Sequence, residues 1–526
     1  MQPKSFAVAS VAAIAAALSL SITYFIDVPM RMDGAWYAYP GYALSQGGDP
    51  SENIPGFALP GSIPERLVAK FQWELRSNLM VPITAAWFKI FGPSWVSLRL
   101  LGGVQMVALV CLVGVVVWRL TDDRALSVFA ACMTMTDSSV ISAAFSDARP
   151  DLPIAVVSVG LLALLVEARK TGSIAAALGS LVLACLLPLM HTTAAIAIAF
   201  FVALSVGIRL LARQEPEAQW VGSSLPSILP ALMILCFLLR QPILDILIPT
   251  AAPEGVEAAV RIDLIQKLRG IAEAGFGAKV SMEWSRWMSY FFYNNAAHVV
   301  LLVCGCIAAP SLLKNRRSDQ SGKIGLSLIV ACAFAAMVVF VVDPHRADSH
   351  ILVLAVMVCI ASTVILSAAR KRSALTSSQL AVICTSILAG ATILKIGHSY
   401  SIFSRIVVPG TTNAAFEASL LSAIPVGRDV RIVGPVEVWP FLTARKQRIT
   451  LLDTDRSVAP TDRTGSDFQG AEFLIVNEDH IGYGWDAAIS AWSREDSIRK
   501  VFEVGNCGVT ARCLAMYSLV PANDNE

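Results

Sequence analysis

The chain has 526 residues, of which 55% are hydrophobic and 15% charged, and its mean hydropathy is +0.63. Apolar runs of about seventeen or more residues recur along the first four hundred or so, which excludes a water-soluble globular enzyme and marks a multi-span integral membrane protein. The formal net charge of +2 gathers into no polybasic tail or patch, so nucleic acid is excluded as a partner.

Apolar windows between charged interruptions predict spans near 6–26, 95–118, 125–143, 152–168, 173–190, 192–210, 220–239, 296–313, 326–342, 351–369 and 378–396. That is a mostly α, polytopic bundle of about eleven transmembrane helices. The first span follows Lys4 as a signal peptide would. It is about twenty residues long and leads into Asp27-Val-Pro-Met-Arg31 without a small-x-small cleavage pattern, so it is expected to remain as a helix. Connections bearing Lys4, Arg119 and Arg124, Arg169 and Lys170, Arg209 and Arg213, Lys314 to Lys323, and Arg370 to Arg372 alternate with the others. The positive-inside rule makes that basic set cytoplasmic, with the amino terminus inside and the carboxyl terminus outside.

The first outer loop, 27–94, is the longest and carries Met32-Asp33-Gly34-Ala35-Trp36-Tyr37, followed by Tyr39 and Tyr42. These aromatics are spaced to lay a short helix along the headgroup region, with Asp33 at its start. Two readings of Asp33 are open: a helix cap accepting backbone N–H bonds, or a functional acid just outside the bilayer.

Within the third span, Asp137 stands in Thr134-Met-Thr136-Asp137-Ser138-Ser139. An ionisable group at that depth is costly; it either lines a cavity shared with Asp147 or serves as a hydrogen-bond hub. The next outer loop, Ser146-Asp147-Ala148-Arg149-Pro150-Asp151-Leu-Pro153, sets two carboxylates around one guanidinium. Arg149 suits a phosphate or carboxylate through its planar fork, with Asp147 or Asp151 orienting it or binding a sugar hydroxyl. A self-neutralising turn at a helix start is the alternative.

His191, in Pro188-Leu-Met-His191-Thr-Thr193, marks another outer turn, either as a cap or as a ligand. The loop 240–295 mixes Arg240, Arg261, Lys267, Arg269, Lys279 and Arg286 with Trp284, Trp287, Tyr290 and Tyr293, as a helix lying on headgroups or capturing a lipid phosphate would. Asp343-Pro-His345-Arg346-Ala-Asp348-Ser-His350 joins the ninth and tenth spans. Its spacing does not specify zinc, so an anion held by Arg346 and His345 is favoured over a divalent metal there.

Residues 398–526 change texture. Val430-Arg-Ile-Val-Gly434, Ile449-Thr-Leu-Leu-Asp453 and Phe473-Leu-Ile-Val476 are strand-like, 486–500 is helical, and the whole reads as a small extracytoplasmic α/β domain after a membrane domain of 1–397. Cys507 and Cys513 stand apart from the other cysteines, which lie in or beside apolar spans, and a disulfide between them is expected in an oxidising compartment. Cys304-Gly-Cys306 lies in an apolar helix and is expected to serve packing.

Three features together resemble the GT-C glycosyltransferases, in particular the protein mannosyltransferase and lipid A aminoarabinose transferase branch. They are an acid shortly after the first span, the run Leu79-Met-Val-Pro82 through Phe91-Gly92-Pro-Ser94 to Arg99-Leu100 entering the second, and Ala148-Arg149-Pro150-Asp151-Leu152 before the fourth. The resemblance covers roughly residues 1–210. It implies a membrane enzyme that takes a sugar from a polyprenyl-phosphate carrier and places it on a glycan, lipid or protein acceptor at the outer face. A bacterial inner membrane with the site toward the periplasm is the expected setting, since the tail is compact and carries no retention or sorting signal.

By the same resemblance Asp33 is the general base of an inverting transfer. Asp147, in the loop before the fourth span, is expected beside it in the catalytic set. Arg149, His191, His345 and Arg346 are the candidates to meet the lipid phosphate, and Tyr37 and Asp151 complete the substrate-binding set. No cofactor is implied with certainty. Many relatives pair acids in the first loop, whereas Gly34 follows Asp33 here and the next carboxylates are Asp49, Glu52, Glu65 and Glu74, so a divalent metal is possible but not favoured. Arg76-Ser-Asn-Leu also stands where relatives often have His-Pro. A transporter or flippase of lipid-linked sugar is the main competing expectation, and a non-catalytic assembly protein is a third.

Overall fold

The computed structural model describes residues 3–26, 32–47, 78–147, 149–191, 193–211, 220–240, 243–244, 275–290, 295–313, 320–342, 351–372, 374–442, 449–453, 471–482, 484–495, 497–507 and 512–519. In chain order the helices are α1 (Pro3–Ile26), α2 (Met32–Ser45), α3 (Met80–Phe91), α4 (Trp95–Thr121), α5 (Arg124–Met135) and α6 (Ser138–Ser142), the last continuing as a π-helix over Ala143–Asp147. Then come α7 (Asp151–Thr171), α8 (Ile174–Met190), α9 (Ala194–Leu211), α10 (Trp220–Leu238), α11 (Phe276–Trp287), α12 (Ala296–Leu313), α13 (Gln320–Val342), α14 (Leu352–Lys371), α15 (Ser377–Ile406) and α16 (Asn413–Ala423).

Each predicted span coincides with one of these helices or, for the third, with a pair. Among the described residues six helices are long and apolar enough to cross a membrane, and α5 with α6 and the π-helix, bent by 56°, would make a seventh; α3, α8, α9, α12 and part of α10 are shorter apolar helices. Large apolar side chains such as Val11, Val107, Val182, Ile307, Met337 and Ile393 point outward and exposed, as a lipid-facing surface requires. The chain is an integral membrane protein. The last long helix continues to Ile406, past the expected end at 396, through a polar stretch that includes His398 and Ser401.

One helix lies inside the others. In the most apolar window of α14, 94% of residues are buried, and it packs against α4, α5, α7, α12 and α13. A helix apolar on all sides is stable only in such a central place. Ion pairs Arg370–Asp123 (2.7 Å), Lys170–Asp122 (3.1 Å) and Arg119–Glu167 (3.0 Å) gather the basic turns at one end of the bundle.

The other end holds α2, the turn before α7 and the turn after α8. Arg99, only 2% exposed, crosses from α4 and donates through Nη1 to the backbone oxygens of Tyr24 (2.8 Å) and Phe25, the orphan carbonyls and negative dipole end of α1. Close helix approach fixes the π-helix as well. A methyl group on Gly102 of α4 would stand 1.8 Å from the carbonyl oxygen of Ala144, a backbone atom that cannot step aside. Gly102→Ala is therefore expected to destabilise the protein by about 1–3 kcal/mol, read as a lowered melting temperature of the detergent-solubilised chain.

Among the described residues all strands lie in the tail: β1 (Val430–Gly434), β2 (Ile449–Asp453), β3 (Phe473–Asn477), β4 (Ile498–Val504) and β5 (Leu514–Leu519), in the order β2-β1-β3-β5-β4. β1 pairs parallel with β2 and β3, and β5 pairs antiparallel with β3 and β4. The helix expected over 486–500 runs instead from Trp485 to Arg494, and the residues after it form β4. The buried run Leu514–Leu519 offers that segment a ladder partner, and cross-strand pairing outweighs local helical preference. A disulfide joins Cys507 and Cys513 across the β4–β5 connection, with the Cα atoms 5.0 Å apart.

Candidate active site

Helix α2 is anchored from the tail side. The indole of Trp439 donates to the carbonyl of Ala35 (3.2 Å) and stacks on Tyr42 (5.1 Å between centroids), with Tyr39 and Phe88 edge-on. These rings, with the buried Ala35 and Ala38, form one apolar cluster with Phe416, Leu420 and Ile432 of the tail. Burial pushes the Tyr39 phenol up to about 12, with neighbouring Tyr42 adding to it, and pushes Tyr42 up as well, so both stay protonated at neutral pH. Tyr39 and Tyr42, expected on headgroups, are thus packed against the tail. A second tie runs from Arg512, next to the disulfide, to Asn413 Oδ1, while Asn413 Nδ2 donates to the carbonyl of Ile26 (3.0 Å).

The opposite side of α2 meets the bundle. Tyr37 lies edge-on to His191, with centroids 5.5 Å apart and 3.2 Å between Tyr37 Oη and His191 Nε2. Thr193 donates its backbone N–H to His191 Nδ1 (3.3 Å), which places the neutral ring's proton on Nε2, to be given to Tyr37. The Arg149 guanidinium sits 5.7 Å from the centre of the Tyr37 ring. Its Nε donates to Asp151 Oδ2 (3.1 Å), with the two side chains 9% and 3% exposed. Asp151 is the first residue of α7, so the carboxylate gains from the helix dipole while it holds the guanidinium. The self-neutralising turn is real, and it also orients one edge of a fork with five N–H donors.

Four of the sequence candidates therefore come together: Tyr37, Arg149, Asp151 and His191. The backbone of Asp33 lies in the first turn of α2, four residues before Tyr37, and i, i+4 positions share a helix face. Its side chain lies outside the described residues, as does that of Asp147, whose backbone ends the π-helix two residues before Arg149. His345 and Arg346 lie wholly outside them. Among the described residues no three His, Cys, Asp or Glu side chains gather as a cation site.

The helix expected in 240–295 forms over Phe276–Trp287, but the charges turn inward. Glu283 accepts from Lys279 (2.8 Å), Arg286 (3.3 Å) and the indole of Trp287 (3.1 Å), all at low exposure, while Phe276, Val280 and Trp284 face out. In apolar surroundings the carboxylate neutralises its neighbours better than distant headgroups would. The sequence reading missed Trp439, whose hold on α2 has no local signature. Tyr37→Phe, which removes the hydrogen bond to His191 and keeps the ring under Arg149, is expected to cost about 0.5–1.5 kcal/mol in stability, read as a lowered melting temperature of the detergent-solubilised chain.

No protein-family model matches the sequence, and no curated protein matches it significantly. Solved structures do match in fold. ArnT from Cupriavidus metallidurans bound to undecaprenyl phosphate is 12% identical with a TM-score of 0.53, over 97% of this chain and 98% of that one. The chain has the GT-C fold. The Archaeoglobus fulgidus oligosaccharyltransferase in its apo form shares the fold at 10% identity and a TM-score of 0.53, over 98% of this chain and 75% of the other. The same enzyme tethered with an acceptor peptide matches at 11% identity and a TM-score of 0.50, over 89% and 69%. In these comparisons the shared fold covers 89–98% of the chain, well beyond the 1–210 that carried the sequence resemblance.

Proposed function

We infer that the chain is a glycosyltransferase that moves a sugar from a polyprenyl-phosphate carrier to an acceptor on the outer face of the membrane, with Asp33 as the base. The observation that supports it most is the convergence, at one end of a GT-C bundle, of a buried guanidinium, an imidazole and a phenol beside the helix turn that carries Asp33. The undecaprenyl phosphate bound to ArnT is the corresponding ligand class.

In this reading Asp33 takes the acceptor proton as the hydroxyl oxygen attacks the anomeric carbon. The bond to the phosphate oxygen breaks with its electron pair, and the configuration inverts. The phosphate gains charge as it leaves and is met by Arg149, held in aim by Asp151 and Tyr37, with His191 beside it. His345 and Arg346 are assigned to the same anion, and Asp147 to the sugar hydroxyls and the catalytic set. Residues 1–397 form the catalytic membrane part and 398–526 an extracytoplasmic part, facing the periplasm of a bacterial inner membrane.

A transporter of lipid-linked sugar is the second reading, favoured by one observation: a bent span with buried charges at its break. Purified protein in vesicles with an undecaprenyl-phosphate sugar decides between them. Release of undecaprenyl phosphate together with glycosylated acceptor supports transfer. Movement of intact donor between leaflets, without cleavage, overturns it.

A further inference from the structure

The break in the third span is built by polar groups buried in the bundle. Thr134 and Thr136 turn their hydroxyls back to the carbonyls of Ala130 and Met133, both at 3.0 Å, loosening the end of α5. Asp137 then caps α6, with Oδ1 accepting from the backbone of Ser139 (2.8 Å) and Val140 (3.3 Å). The same oxygen accepts from Asn295 Nδ2 (3.4 Å), and Oδ2 accepts from the Tyr290 hydroxyl (3.0 Å). His298, 3.8 Å from Oδ2, donates its Nε2 proton to the carbonyl of Met133 (2.9 Å).

Lys395 reaches in from α15. Its ammonium donates to Ser138 Oγ and to Asn295 Oδ1 (3.3 Å), and Asn295 Oδ1 also accepts from the backbone of Ser138 (3.0 Å). Lys395 is 1% exposed, Asp137 2%, Asn295 1% and Tyr290 1%. Opposite charges thus share one closed network that joins α12, α15 and the segment before α12 to the foot of α6. Ionisable groups at such depth are costly and are kept where they do something other than pack.

What lies downstream of the break is the site. From Ser138 the chain is helical without interruption to Asp147, the π-helix is wedged against Gly102, and Arg149 follows two residues later. The segment is roughly 13 Å long. Straightening a 56° bend at its foot would carry its far end by roughly 12 Å, far beyond hydrogen-bond reach.

We propose that Asp137 and Lys395 are positioning residues: their buried network sets the bend that lays Arg149 over Tyr37 and against Asp151. The claim about geometry stands by itself; its bearing on catalysis rests on the transferase reading above.

The test uses the full chain in nanodiscs. Arginine modification by phenylglyoxal, followed residue by residue by mass spectrometry, is slow at Arg149 while it is buried and paired. Lys395→Met and Asp137→Asn are expected to speed it by about tenfold, whereas distant exposed arginines such as Arg428 react at unchanged rates. If Lys395→Met fails to fold, Ser138→Ala removes the lysine's hydroxyl partner without leaving a charge unmatched, and the same comparison is made with it. Unchanged protection of Arg149 in folded variants overturns the proposal.

A second readout is the donor KM in a double-mutant cycle. Lys395→Met is expected to raise it by about tenfold in the wild-type background and to add almost nothing beside Arg149→Lys. Full additivity would mean that Lys395 acts elsewhere, and would sink the idea. Should the wild type transfer no sugar, the functional reading fails while the modification rates still judge the positioning.

Discussion

Asp33→Asn is expected to lower kcat for sugar transfer by about 10²–10⁴-fold while leaving the donor KM near its wild-type value. The substitution keeps size and hydrogen-bonding shape and removes only the capacity to take a proton. Asp33 lies in the first turn of α2, where a purely structural acid would serve the helix start. Asn serves that role as well as Asp does, so a mere cap would lose at most the charge–dipole interaction, about 0.3–1 kcal/mol. A hundredfold loss in kcat is about 2.7 kcal/mol, well outside that range. The measurement is single-turnover transfer from an undecaprenyl-phosphate sugar, with the melting temperature followed in parallel. Wild-type turnover in Asp33→Asn would remove the base from this position.

Arg149→Lys is expected to cost about 10²–10³-fold in kcat/KM, with a higher donor KM. Arg149→Ala is the less informative variant, because it leaves the carboxylate of Asp151, 3% exposed, buried without its partner, a loss of about 3–5 kcal/mol in stability alone. Lys keeps a positive charge near Asp151 and gives up the planar fork. If the guanidinium only neutralises the turn, the charge suffices and activity survives. If it holds Asp151 with one edge and phosphate with another, a point charge on a flexible stem does neither well. Titration of the variant with undecaprenyl phosphate separates the two, since the structural role predicts unchanged affinity.

The site was partly legible because its members sit at helix ends. Asp33, Arg149, Asp151 and His191 each stand where an apolar run stops, and alternation of basic connections sorts them to one side. Tyr37 shares a helix face with Asp33 by spacing alone. Their meeting was not legible. Nothing near Tyr37 in the chain indicates that His191 and Arg149 close on it, since those contacts depend on how α2 is pressed between the bundle and Trp439.

Where the reading of residues went astray, a distant partner explains it. The cations of Phe276–Trp287 face inward because Glu283 neutralises them there, and 498–504 is a strand because Leu514–Leu519 offers it a ladder. The residues around Asp137 point to a hub or a cavity acid, but its partners at 290, 295 and 298, and the lysine at 395, lie in segments far along the chain.

The sequence by itself determined the membrane-embedded helical bundle, because lipid leaves a backbone no partner but its own helix and so writes each span as a run of apolar residues. Tertiary structure alone decided the bend at Asp137, the burial of Lys395 and the assembly of Arg149, Tyr37 and His191. Those features are contacts between residues remote in the chain, and a buried charge reveals its role only through the groups that fold around it.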